Sequence, residues 1–156
     1  MNAFLDLPNA SPGEADVILL PLPFEGTVSY GRGTARGPAA ILDASRQVET
    51  FDEETGCELD KLTYCWADEV HPVEGQGADL YLDKVLQTAA SAHGQRGFVI
   101  GVGGEHSVTA PLAEAASGSA DLSDLTIVQF DAHADLRDSY EDSKSSHACV
   151  MRRLLD

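Results

Sequence analysis

Four short apolar runs constrain this chain's fold more than anything else in it. "ADVILLPLPF" (15–24), "LTYCWADEV" (62–70), "RGFVIGVGG" (96–104) and "LTIVQFDAH" (125–133) are continuously apolar rather than alternating. That pattern predicts strands covered on both faces, as in a parallel sheet. Longer helical patterns stand between them. "GPAAILDASRQVETF" opens with Pro38 at a first-turn position. "GADLYLDKVLQTAASAHG" puts Leu80, Val85 or Lys84, and Ala89 near helical spacing and closes on Gly94. "SVTAPLAEAASG" follows the third strand, with Ser107 or Thr109 as its cap and Gly118 as its end. The order β-α-β-α-β-α-β-α predicts a three-layer α/β/α fold around a mostly parallel sheet. Ligands in such folds sit beyond the carboxyl ends of the strands.

Composition excludes several classes of partner. The 156 residues carry 26 acidic and 10 basic side chains, a formal charge of −16. Such a field repels phosphate backbones and anionic lipid, so neither nucleic acid nor a membrane surface is expected, while cationic substrates and divalent metals are favoured. Cys57, Cys65 and Cys149 lack any CxxC spacing and fit reduced thiols. The amino-terminal stretch has no basic n-region followed by an apolar h-region, and "VILLPLPF" is far shorter than the roughly 20 residues that span a bilayer. A cytoplasmic protein is the expectation.

Two polar motifs fall at the carboxyl ends of predicted strands. Asp131, His133 and Asp135 of "DAHAD" stand at every second position, so in extended backbone they would share one face. Carboxylate and imidazole together suit Mn²⁺, Zn²⁺ or Fe²⁺, and one carboxylate can bridge two ions. "GGEHS" places His106 just after the third strand. Taken singly, each motif also fits an ordinary strand-to-helix turn with incidental polar residues. The dinucleotide pattern GxGxxG fails, because His106 stands where a glycine is needed, and the Walker spacing is absent. Taken together, both at strand carboxyl ends and in this order, the motifs predict half of a metal site.

"GGEHS" and "DAHAD", about 25 residues apart, resemble the ureohydrolases: arginase, agmatinase, formimidoylglutamase and their relatives. "SYGRGTARGPAAIL" (29–42) is similar to their Gly-rich entry loop and first helix, and "SHACVMRR" (146–153) to a later segment, especially in agmatinase-like members. The resemblance implies an arginase-like fold and hydrolysis of a guanidino group at a binuclear Mn²⁺ centre by a metal-bridging hydroxide. For agmatine the products would be putrescine and urea, a step of polyamine metabolism. It further implies that His106 binds one manganese and His133 the other, that Asp131 bridges them, and that Asp135 joins His106 and relays a proton to the leaving amine. His147 matches a histidine near the site mouth, a proton shuttle or substrate contact. Glu105 stands where many members have aspartate. His71 and His93 read as surface residues, Arg32 and Arg36 as loop charges, and Tyr64 and Trp66 as core.

Members of that family are roughly twice this length and carry a further S-x-D-x-D aspartate pair in their second half, which this chain does not supply. Their sheet also places strands of that half between the ends bearing the two motifs. Residues 1–156 are therefore expected to be the N-terminal part of a single domain, inactive alone, with "CVMRRLLD" reading as a helix cut short. The His106 and Asp131 motifs should either pair directly or stay apart with exposed apolar edges. Full-length members form homo-oligomers. Arginase, guanidinobutyrase and formimidoylglutamase share these metal motifs and are the alternatives within the enzyme class. A histone-deacetylase-like hydrolase is a more distant one, and a non-catalytic remnant is the alternative outside it.

Overall fold

The computed structural model describes residues 3–118 and 125–156; the remaining positions of the expected 1–156 domain lie outside the described residues. In chain order the elements are β1 (Val17–Leu22), α1 (Gly37–Ala44), a small antiparallel pair β2 (Phe51–Asp52) and β3 (Cys57–Glu58), β4 (Tyr64–Trp66), α2 (Ala78–His93), β5 (Phe98–Gly103), α3 (Thr109–Ser117) and α4 (Val150–Leu155). Among the described residues β1, β4 and β5 form a parallel sheet in the order β4-β1-β5.

Both faces of β1 are covered, as its continuous apolar run requires. Leu20 and Leu22 pack against Tyr81, Val85 and Ala89 of α2 and Ala115 of α3. Leu19, Trp66 and Val102 point the other way, against Leu42 of α1 and Phe4, Leu5 and Leu7 of the N-terminal segment. This is the expected three-layer arrangement. Each fully buried large side chain contributes about 1.5–3 kcal/mol. Tyr64 and Trp66 are core residues, with Phe4 stacked on the indole at 6.1 Å.

The helices differ from expectation in detail. The buried stripe of α2 is Tyr81, Val85 and Ala89, while Leu80 is exposed. Tyr81 stacks on Phe24 at 4.3 Å and donates its hydroxyl to the Val70 carbonyl at 2.8 Å. Burial, followed by the nearby Glu105 charge, pushes its phenol well above the usual range. α3 has no side-chain cap: the Ser107 hydroxyl donates to Glu105 instead, at 2.7 Å. Gly118 does end α3, at a φ of +57° that a side chain would strain.

The fourth expected strand does not form. Residues 125–131 join no sheet; Val128 is 71% and Phe130 97% exposed. A strand needs a ladder partner, and β5, whose Phe98 and Ile100 are also exposed, does not reach it. Of the two arrangements expected, the motifs adopt the second: their apolar runs stay apart and only their carboxyl ends meet. The first of those ends is fixed by Gly104, whose N–H donates to Leu22 O at 3.1 Å; a Cβ there would overlap the Phe24 backbone.

Chemical denaturation should separate these two environments. L22A removes a fully buried side chain and is expected to cost about 2–5 kcal/mol. F130S should change stability by less than about 0.5 kcal/mol; a loss comparable to that of L22A would show that residues 125–131 are packed after all.

Candidate metal centre

Parallel pairing sets β1 and β5 in register from Val17↔Phe98 to Leu22↔Gly103, so both strands end at one level. The chain leaving β5 turns through Gly104 and Glu105 into a 3-10 turn, His106–Val108, which presents the imidazole of His106 at that rim. Its Nδ1 lies 2.8 Å from Asp135 Oδ2 and 3.4 Å from Asp131 Oδ2. One ligand atom from each of His106, Asp131 and Asp135 lies within 4.8 Å of the others. These side chains are mostly shielded, with exposures of 28% for His106, 26% for Asp131 and 11% for Asp135.

Strand alternation is not what brings the carboxylates together. Residues 132 and 133 form a bend in which the His133 backbone N–H donates to Asp131 Oδ1 at 2.8 Å. That bond, then the cationic form of His106, holds the Asp131 carboxyl below its usual range. Asp135 adopts a left-handed φ of +48°, and its carbonyl accepts the N–H groups of Met151 and Arg152 at the start of α4. The turn directs Asp131 and Asp135 inward and His133 outward. The imidazole of His133 is 82% exposed, 3.6 Å from the second oxygen of Asp131 and outside the three-residue cluster. The shared face expected for Asp131, His133 and Asp135 is thus corrected.

His147 lines the same open cavity of about 650 Å³, together with His106, Asp131, His133, Asp135 and Tyr140. It begins a 3-10 turn capped by Ser146, and Tyr140 meets its ring edge-on at 5.9 Å. Arg137 sits 4.8 Å above the Tyr140 ring. Arg32, Arg36, His71 and His93 are exposed and lie outside the cavity wall.

Sequence reasoning gives Glu105 no role of its own, yet it is 4% exposed. Its Oε2 accepts the N–H groups of Gly26 and Thr27, each at 2.8 Å, and its Oε1 the hydroxyls of Thr27 at 2.6 Å and Ser107 at 2.7 Å. The available signal was a carboxylate flanked by a glycine pair and a predicted strand, a place where burial demands donors.

The sequence model of the arginase family matches residues 15–156. This chain belongs to the arginase family. It is 36% identical over 151 residues to the N(1)-aminopropylagmatine ureohydrolase of Synechocystis, covering 94% of this chain and 49% of that protein. It is likewise 36% identical to the agmatinase of Pyrococcus horikoshii, covering 96% of this chain and 51% of the relative. Among solved structures, the agmatine ureohydrolase of Thermoplasma volcanium superimposes with a TM-score of 0.78 at 29% identity, covering 94% of this chain and 47% of that one. Both relatives are guanidino-type ureohydrolases by name, and the chain spans about half the length of the curated relatives it matches.

Calorimetric titration with Mn²⁺ tests the cluster. H106A, D131N and D135N should each weaken binding on the order of 10-fold or more, and H133A less than any of them. The largest loss in H133A would place the ion elsewhere.

Proposed function

We propose that residues 1–156 are the N-terminal part of a single ureohydrolase domain and carry one wall of a metal centre that hydrolyses a guanidino group to an amine and urea. The observation supporting this most is the convergence of His106, Asp131 and Asp135 at the carboxyl rim of a parallel sheet. Their donor set fits a divalent ion of the manganese class: one imidazole nitrogen with carboxylate oxygens 2.8 and 3.4 Å from it. His106, Asp131 and Asp135, with His133 on the outer side of Asp131, would hold Mn²⁺. When bound, the metal supplies Lewis acidity and a nucleophilic water.

The remaining roles belong to the chain's own residues. The charge of −16, with Asp131 and Asp135 in the cavity wall, favours a cationic substrate over anionic ones such as formimidoylglutamate. Asp135, the least exposed of the cluster, takes a proton from the attacking water and passes it to the departing amine. His147, braced by Tyr140 on the same cavity wall, takes or returns a proton at the mouth. Agmatine is the proposed substrate, its products being putrescine and urea, and the cytoplasm the proposed location. The compounds for which two relatives are named, agmatine and aminopropylagmatine, share the guanidino head, so the tail is what remains to be assigned.

Urea release should be measured with agmatine, N(1)-aminopropylagmatine, arginine and guanidinobutyrate in Mn²⁺. The 156-residue chain is expected to release none, because only three donors converge among its described residues. A form as long as its relatives should prefer the two agmatine-type substrates. Release by the 156-residue chain would contradict the one-wall reading, and a preference for arginine would contradict the substrate.

A further inference from the structure

The structure assigns a tautomer to His147 and names the two residues that impose it: Thr27 fixes the ring in its Nδ1–H form, and Glu105 fixes Thr27. The chemical use of this device rests on the hydrolytic reading above; the tautomer itself does not.

The argument is a count of protons and lone pairs. Thr27 Oγ1 has three neighbours: Glu105 Oε1 at 2.6 Å, the His147 backbone N–H at 3.0 Å and His147 Nδ1 at 3.3 Å. A threonine hydroxyl offers one proton and two lone pairs. A carboxylate only accepts, so at 2.6 Å the proton of Thr27 is committed to Glu105. The His147 backbone N–H occupies one lone pair. The other faces Nδ1 and can be satisfied only by a hydrogen on that nitrogen. With the proton on Nδ1, the neutral ring keeps its lone pair on Nε2, which has no protein partner among the described residues.

Glu105 is itself held without freedom. It is 4% exposed, and its other acceptor positions are filled by the amides of Gly26 and Thr27 and the hydroxyl of Ser107. The relay therefore runs from the end of β5, through the loop after β1, to a residue 120 positions from Thr27. One competitor exists: Ser146 Oγ lies 3.4 Å from the same Nδ1 and could donate to it. That alternative would give the Ser146 proton an acceptor but leave the second lone pair of Thr27 facing another lone pair at 3.3 Å, and the response to S146A separates the two.

The consequence concerns the substrate class. Guanidinium and ammonium groups offer donors only. A neutral ring with its acceptor at Nε2 can receive such a group, or a proton from it, whereas the opposite tautomer would present hydrogen against hydrogen. Glu105 and Thr27 are in this sense positioning residues for His147.

Long-range ¹H–¹⁵N correlation spectra of the metal-free 156-residue chain, labelled at histidine and recorded where the rings are neutral, report the tautomer directly. The His147 signals are assigned by their loss in H147Q. The expected result is a protonated Nδ1 and a pyridine-type Nε2 in the native chain. T27V should shift the population to the other tautomer, T27S should preserve it, and S146A should leave it unchanged. E105Q should act like T27V; should that variant not fold, T27V and T27S decide the matter with the carboxylate in place. A native chain with hydrogen on Nε2, an Nδ1–H form that survives T27V, or a tautomer that follows S146A overturns the assignment. None of these readouts involves turnover, so failure of a form as long as its relatives to release urea would count against the hydrolytic reading alone.

Discussion

The ladder between β1 and β5 is the constraint on which the rim of this molecule depends. It does not stop with the strands. Past Gly103, the N–H groups of Gly104 and Glu105 still donate to Leu22 O and Phe24 O, at 3.1 and 3.0 Å. Two chain segments some 80 residues apart are thereby zipped one turn beyond the sheet. The next side chain, Glu105, closes the junction by gathering four donors, three of them from the loop after β1. His106 follows immediately. Its imidazole is aimed by backbone pairing and by a buried carboxylate that never touches it, so this side of the rim is set independently of the open wall opposite.

That openness shows at the other wall. Residues 125–131 bring Asp131 to His106 without a strand to carry them. Asp135 is tied down instead by its carbonyl, which accepts two amides of α4, and by the left-handed turn that aims its carboxylate. Phe98, Ile100, Val128 and Phe130 meanwhile leave apolar surface facing solvent. Apolar surface of this kind, beside a free sheet edge, is what a larger sheet would cover. The match to about half of each relative is the corresponding finding from comparison.

Much of this was legible in the sequence, and the limits have physical causes. The layer order followed from "ADVILLPLPF" and "RGFVIGVGG", because continuously apolar strands require cover on both faces. Pairing His106 with "DAHAD" followed from their shared position at strand ends. The fourth strand was misread because periodicity measures what a segment would bury, whereas a ladder requires a partner that these residues lack. The outward turn of His133 was invisible because it depends on a side chain capturing a backbone amide, at Asp131, rather than on strand alternation. The roles of Glu105 and Thr27 were not legible because they arise from a contact between residues 78 positions apart.

The central claim is that His106, Asp131 and Asp135 form a metal site, and paramagnetic broadening tests it most directly. Substoichiometric Mn²⁺ added to the ¹⁵N-labelled chain should first erase amide signals around residues 104–107 and 131–136, leaving α2 and the β2–β3 hairpin intact. Broadening spread over the acidic surface, with no early loss at those two segments, would contradict it.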